Sequence, residues 1–477
     1  MKNLALFLLL FPLPALAAEN VTAVPPPALQ LRKLAMANDP HLREAILANF
    51  PEKDLKEGTA WAGYGSDFFL AVETVSAPIL IVDPDTDKPW TYTMQPVGDS
   101  APTAEHKLQL WYGMPQNLAL GKLHAFHYTL DGKPFGGRLD MPAFTPLSYQ
   151  QPGVPTGTLS EKIVHTSKIY DGMKSNYWIY VPAQYDPKTP AALMVFQDGQ
   201  GYIGHDPGPD SGHGILSAID NLIAQKKIPV MICVFINPGS VADAPGTPTY
   251  AFVKAHSEKF HRGLDDAMRS TLYDTVSDRY VRFLRDEILA DVGKQYSIRP
   301  DAYSHAISGA SSGGICSFNA AWQQPDGIPL FSRVLSWIGS YTNIQWADSA
   351  PDVNDPAQPN ITQGGQDYPD KVLREAHRNI RVWLQDGSND MENPNWGSWP
   401  LANIRMANAL KTRAYDFHFS FGKGTHNDGQ GAAEFPKSMT WLWRNYDPTK
   451  TEETYVIDPA EKDQPFFRVS ITNRSAE

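Results

Sequence analysis

The chain has 477 residues, 42% of them hydrophobic, with 41 Lys and Arg against 52 Asp and Glu for a formal net charge of −11. That balance, with no Lys/Arg cluster, speaks against a nucleic-acid binder, which needs a basic face, and the length allows a large core in more than one domain. Only Cys233 and Cys316 are present, so stability must come from the core rather than from a disulfide framework.

Met1-Lys-Asn3 is a short positive segment, Leu4 to Leu13 an apolar one, and Ala15-Leu-Ala17 a small-x-small site, so residues 1–18 are expected to be a signal peptide and the mature chain periplasmic or secreted. The apolar run is too short to span a bilayer and no cysteine follows the cleavage site, so neither a membrane span nor a lipid anchor is expected. Pro25-Pro-Pro27 leads to a predicted helix over 40–49. The alternating segments 67–73, 78–83, 107–112 and 122–129 predict half-buried strands, with Asp131-Gly132 as the turn after the last. Short strands without intervening helices predict an N-terminal β-sandwich over 19–141, and residues 142–158, rich in Pro, Gly, Ser and Gln, predict a linker.

From 159 to 447 strands alternate with helices, the signature of an α/β doubly wound sheet. Strands are predicted at 176–185, 192–197, 230–236, 303–308, 380–385 and 415–421, and helices at 213–226, 275–296, 315–322, 399–411 and 432–446. Cys233 falls on a strand and Cys316 on a helix, and both read as buried apolar residues; whether they are bonded stays open. The apolar run 190–196 ends in Gln197-Asp-Gly-Gln-Gly-Tyr202, whose glycines let a backbone N–H turn inward. The following segment, 204–213, holds two His and two Asp, but its Pro/Gly content makes it a flexible loop first, and no metal or other cofactor is assigned. The tail, 448–477, is charged and carries one strand-like piece over 465–472.

Ser311 stands in a Gly-x-Ser-x-Gly frame, Gly309 to Gly313, after a strand and before a helix. This is the pattern of a nucleophile elbow, in which flanking glycines clear space for the hydroxyl and the helix aims its free N–H groups at a developing oxyanion. Acid and base should then follow in that order. Asp390 and Asp386 both lie in the polar turn after the strand 380–385; Asp390 is favoured because it lies past Gly387, while Asp386 reads as a turn or strand-end residue. His426 follows the strand 415–421 in a glycine-rich loop and is the candidate base, whereas His418, alternating within that strand, reads as structural. The oxyanion hole is assigned to the main-chain N–H groups of Gln200 and Ser312, and Tyr202, Trp396 and Trp399 are candidate substrate-binding residues.

From about Leu159 to Tyr446 the chain resembles the enterochelin esterase-like branch of the putative esterase family, relatives of esterase D, feruloyl and acetyl esterases and mycolyltransferases. The resemblance rests on Tyr177-Trp-Ile-Tyr-Val-Pro182, Phe196-Gln-Asp-Gly-Gln-Gly201, Tyr273 to Tyr280, Ser308-Gly-Ala-Ser-Ser-Gly-Gly314, Leu384-Gln-Asp-Gly-Ser-Asn-Asp390 and Gly424-Thr-His426. It implies an α/β-hydrolase fold, with the nucleophile at Ser311, the acid at Asp390, the base at His426 and an oxyanion donor at Gln200. The expected function is an exported serine esterase, acting without a cofactor on a carboxylic ester of the siderophore type. The alternatives are an acetyl or feruloyl esterase acting on polysaccharide and a non-catalytic binding protein on an esterase fold.

Overall fold

The computed structural model describes residues 26–86, 88–98, 108–344 and 364–469. The expected signal peptide and the end of the strand-like tail piece, from 470, lie outside the described residues.

Three helices open the chain, α1 (Pro27–Met36), α2 (Leu42–Asn49) and α3 (Glu52–Glu57). The sequence pattern had marked only the second. Pro27, which reads as a breaker, is the first residue of α1, where its missing N–H costs no helical hydrogen bond. Eight strands follow: β1 (Ala60–Tyr64), β2 (Asp67–Thr74), β3 (Ile79–Val82), β4 (Trp90–Thr93), β5 (Gln95–Pro96), β6 (Gln109–Gly113), β7 (Lys122–Leu130) and β8 (Lys133–Ala143). They form two antiparallel sheets, ordered β1-β2-β6-β5 and β4-β3-β7-β8. Phe68, Leu70 and Val72 of β2 share one apolar cluster with Leu80, Val82, Phe126 and Tyr128 of the second sheet. The alternate residues Phe69 and Ala71 pack instead under Leu31, Ile46 and Leu55 of the three helices, so β2 is buried on both faces.

β8 runs to Ala143, into the segment predicted as linker. The rest of that segment is fastened at two places: Asn221 Nδ2 donates to the Leu147 and Tyr149 carbonyls, both at 2.8 Å, with the Tyr149 hydroxyl accepting the Gly65 N–H at 2.7 Å, and the Gly157 N–H donates to the Tyr180 hydroxyl at 2.9 Å. Pro/Gly-rich composition reports local breaks but not contacts supplied from elsewhere, so the segment is a packed seam rather than a tether.

The second part is built on a nine-stranded mixed sheet. Its strands are β9 (Thr158–Leu159), β10 (Ile163–Thr166), β11 (Lys174–Val181), β12 (Ala192–Gln197), β13 (Met231–Ile236), β14 (His305–Ala310), β15 (Arg333–Trp337), β16 (Arg381–Gly387) and, after a short hairpin of β17 (Glu392–Asn393) and β18 (Gly397–Ser398), β19 (Asp416–Gly422). The order is β10-β11-β13-β12-β14-β15-β16-β19, with β9 beside β11; pairing is antiparallel around β11 and parallel from β13 onward. The helices between them are α4 (Ile215–Ala224), α5 (Pro248–Phe260), α6 (Leu264–Tyr273), α7 (Arg279–Phe283), α8 (Leu289–Val292), α9 (Ser312–Trp322), α10 (Tyr368–Arg374), α11 (Trp399–Thr412), α12 (Gly429–Leu442) and α13 (Pro459–Lys462). The helix expected over 275–296 is therefore split, with a π-helical turn over Leu284–Ile288 between α7 and α8. β12, β13 and β14 are buried at every position, as strands covered on both faces must be. Leu193 and Val195 enter one core, Met194 and Phe196 the other. This is the architecture of an α/β hydrolase, and its functional groups belong at the C-terminal ends of the parallel strands.

Cys233 and Cys316 are both buried and unbonded, with burial pushing each thiol up. Phe467 in the tail exchanges two main-chain hydrogen bonds with the Asn408 amide of α11, so that piece lies on a helix. Among the described residues no helix is long and apolar enough to cross a membrane.

Candidate active site

Ser311 joins β14 to α9 with φ 57° and ψ −122°, a conformation that residues bearing a Cβ avoid and that the tight elbow imposes. A Cβ on Gly309 would lie 2.5 Å from the Gly313 carbonyl oxygen, so strand and helix approach this closely only because it is absent. Gly314, which the motif does not count, is held as tightly, 2.8 Å from the Trp337 carbonyl on the same measure. The Ser311 N–H donates to Trp337 O and the Ser340 N–H to Ser311 O, each at 3.0 Å.

His426 lies in the loop between β19 and α12. Its Nε2 is 2.8 Å from Ser311 Oγ and its Nδ1 2.5 Å from Asp390 Oδ1. Asp390 is buried after the turn that ends β16, and the same oxygen accepts the Met391 N–H. An ionised carboxylate only accepts, so Nδ1 carries the imidazole proton and Nε2 is left to accept from the serine. Asp386 lies inside β16 and outside this line. Its Oδ1 accepts the Gly387 N–H at 2.7 Å. Burial, then a hydrogen bond with Asp390, pushes its carboxyl well above the usual carboxylate range. The Oδ2 atoms of Asp386 and Asp390 are both buried, and the hydrogen bond between the two carboxyls, beside one from the Asn403 side chain to Asp386, fits a proton held on Asp386.

Ser340, which the sequence did not mark, and Trp399, which it marked for another role, complete this side. Ser340 Oγ is 3.2 Å from Ser311 Oγ and accepts the indole N–H of Trp399 at 3.0 Å. Trp399 is 1% exposed and meets the His426 ring edge-on, with centroids 5.3 Å apart. Its expected place in a substrate wall is corrected: as the first residue of α11 it is turned inward and braces the imidazole and Ser340. Trp396 is half-buried, with the Arg262 guanidinium 5.4 Å above its ring.

The other side differs from expectation more. Gln200 N–H donates to Asn237 Oδ1 at 3.0 Å, and Asn237 Nδ2 returns a bond to Gln200 Oε1 at 3.1 Å. As arranged, the amide assigned to the oxyanion is already engaged, because Asn237, directly after β13, reaches across to the neighbouring turn. Asp198, left-handed at φ 53°, is held by Arg269 Nε and Nη2 at 2.9 and 2.7 Å. Tyr202 is also corrected. The helical turn over Gly199–Tyr202 swings its ring into the core, 2% exposed, and its hydroxyl donates to Asp428 Oδ2 at 3.0 Å. Ser312 opens α9, so its N–H is among those without an intrahelical partner. Its hydroxyl donates to the buried Asp274 at 2.9 Å, whose carboxyl burial raises to about 6. In the loop expected over 204–213, His213 lies beside the Tyr202 ring.

Ser340 and Asn237 share a signal that the sequence carried: each is a polar residue just past a buried parallel strand, where such sheets place ligands. Ile338, a β-branched residue at φ 41°, and Gly339 make the turn that brings Ser340 back to Ser311.

Among solved structures, the chain is similar to enterochelin esterase from Shigella flexneri (14% identity, 83% of this chain and 98% of that one, TM-score 0.47). It is also similar to ferric enterobactin esterase from Salmonella typhimurium (13% identity, 81% and 96%, TM-score 0.47) and to a ferulic acid esterase from Anaeromyces mucronatus (16% identity, 64% and 98%, TM-score 0.42). At TM-scores below 0.5 these likenesses bear on neither substrate nor residue roles. A search of curated protein sequences returns no match. The family model described as "Putative esterase" matches residues 171–441, more than half of the chain and the whole stretch from β11 to α12 that carries Ser311, Asp390 and His426, and the chain therefore belongs to the putative esterase family of carboxylic ester hydrolases.

Proposed function

We propose that the protein is an exported serine esterase in which Ser311 is the nucleophile, His426 the general base and acid, and Asp390 the residue that orients the imidazole. The observation that carries this reading is the line from Ser311 Oγ to His426 at 2.8 Å and from His426 to Asp390 at 2.5 Å. Ser311 Oγ attacks the ester carbonyl carbon while its proton passes to Nε2. The leaving alkoxide takes that proton as the C–O bond breaks, and water repeats the sequence on the acyl-enzyme. Ser312 N–H, at the positive end of α9, meets the oxyanion. Gln200 N–H is the second donor once the substrate oxygen displaces Asn237 Oδ1.

Residues 1–18 are proposed as a signal peptide, 19–141 as a β-sandwich domain like that of enterochelin esterases, 142–158 as the connection, 159–447 as the esterase domain and 448–477 as a tail, in a periplasmic or secreted protein. The substrate class, a carboxylic ester of the siderophore type, rests on the motif resemblance. The second reading, an acetyl or feruloyl ester on polysaccharide, is favoured by the half-buried Trp396 after the acid turn, whose ring carries the Arg262 guanidinium on one face and would stack a sugar or an aromatic acid on the other. Labelling with a fluorophosphonate followed by peptide mapping should modify Ser311, and Ser311→Ala should abolish both labelling and turnover; an active Ser311→Ala enzyme would sink the assignment. Rates on a cyclic catecholate triester, acetylated xylan, feruloylated arabinose and simple aryl esters would choose between the substrate classes.

A further inference from the structure

The loop that carries His426 is gripped from two directions. On the side of the acid turn, Ser388 N–H donates to Gly422 O at 3.0 Å and Asn389 Nδ2 to Lys423 O at 2.6 Å. Gly387 comes so near Gly424 that a Cβ would lie 2.2 Å from the Gly424 carbonyl oxygen. On the opposite side stands Asp140, from β8 of the N-terminal sheets. Its Oδ1 accepts the Thr425 N–H at 2.9 Å and its Oδ2 the Thr425 hydroxyl at 2.5 Å, across 285 residues of sequence.

The donors and acceptors leave one arrangement. A carboxylate only accepts, so Thr425 Oγ1 gives its proton to Asp140 and takes the Asn427 Nδ2–H on a lone pair, at 2.8 Å. Asn427 Oδ1 in turn accepts the Gly429 N–H at 2.8 Å, where α12 begins. His426 is the residue between Thr425 and Asn427, so both of its chain neighbours are tied into a network that starts on the N-terminal sheet.

We propose that Asp140 is a positioning residue for the reaction: from the N-terminal sheet it fixes the Thr425–Asn427 turn and thereby aims the His426 imidazole at Ser311. The proposal rests on the assignment of Ser311, His426 and Asp390 made above. Two charge-assisted hydrogen bonds donated by one residue to one carboxylate define both distance and orientation, and a base misplaced by about 1 Å can cost on the order of 100-fold in rate. The N-terminal sheets then belong to the catalytic apparatus even for esters too small to touch them.

The test uses the full-length enzyme, p-nitrophenyl acetate turnover, the rate of fluorophosphonate labelling and thermal unfolding. Asp140→Ala should lower kcat about 30-fold with KM within about twofold. Labelling should slow by the same factor, because it too needs His426 to take the serine proton, while the unfolding temperature stays close to that of the wild type. Asp140→Asn keeps an oxygen for the Thr425 N–H and should recover most of the loss. Thr425→Val, which removes the hydroxyl's bonds to Asp140 and from Asn427 but keeps the Thr425 N–H bond to Asp140, should cost about tenfold. Asp140→Ala with wild-type kcat and labelling would overturn the proposal, as would an effect confined to KM or an Asp140→Asn enzyme no better than Asp140→Ala. His426→Ala separates this from the underlying assignment: if it is inactive while Asp140→Ala is normal, only the positioning role fails, and if it is fully active the assignment itself fails.

Discussion

Beyond the ends of β15, β16 and β19, on one side of Ser311, buried groups hold the half-buried His426: Asp386 is bonded to Asp390, Asp390 to His426, and Trp399, against the imidazole edge, to Ser340. At the ends of β12 and β13, on the other side, an exposed turn lends its amide to Asn237. The difference is one of burial. A buried carboxyl that loses its partner has no water to replace it, so the Asp390–His426 side is locked. An amide on an exposed turn exchanges one acceptor for another at a net cost near 1 kcal/mol, so the Gln200 side can rearrange as the proposed oxyanion role requires.

The largest expected effect separates the two carboxyls of the locked side. Asp390→Asn should lower kcat by about four orders of magnitude through loss of the correct imidazole tautomer. Asp386→Asn should cost less than about tenfold, because an amide N–H can donate to Asp390 as the protonated carboxyl does. Steady-state kinetics on one ester decides this, and the reverse ranking would move the orienting role to Asp386.

Asp274, under the oxyanion side, gives the next effect, on stability. Burial raises its carboxyl from an ordinary 3.8 to about 6. Relative to the unfolded chain, the protonated group therefore contributes stability that is complete below about pH 4 and lost as pH rises through 6. That rise corresponds to on the order of 3 kcal/mol. Asp274→Asn removes that slope, so the stability of the variant relative to wild type should increase by this amount between pH 4 and pH 7. Thermal melts at the two pH values measure it, and a difference independent of pH would show that the carboxyl ionises in the fold without penalty.

Two smaller changes sharpen the contrast. Trp399→Phe keeps the edge contact with His426 but removes the indole N–H from Ser340, and should lower kcat roughly tenfold at unchanged KM, about the value of one buried hydrogen bond. Asn237→Ala frees the Gln200 amide and should raise kcat/KM by up to about fivefold. A fall instead would mean that Asn237 serves mainly to hold the turn.

Much of the fold could be read from the sequence, since β12 and β13 are nearly continuous apolar runs and β2, β3, β6 and β7 carry alternation or turn signals. α1 could not, because Pro27 breaks a helix only from inside. The elbow was legible for a local reason: a strand turning into a helix within four residues excludes a Cβ at Gly309 whatever surrounds it. The same residues mark Ser311, and the order of the strands that follow marks His426 and, with Asp386 left as its rival, Asp390 as candidates. Tertiary structure alone decided which way Tyr202 and Trp399 face, since an aromatic ring at a strand end serves core or cleft according to what packs against it. It also decided that Asn237 reaches the Gln200 amide and that Asp140 holds Thr425. Turn sterics are local to a few residues and so are written in the sequence. A hydrogen bond between groups 285 positions apart exists only once two separately patterned sheets have packed, and no local pattern encodes that.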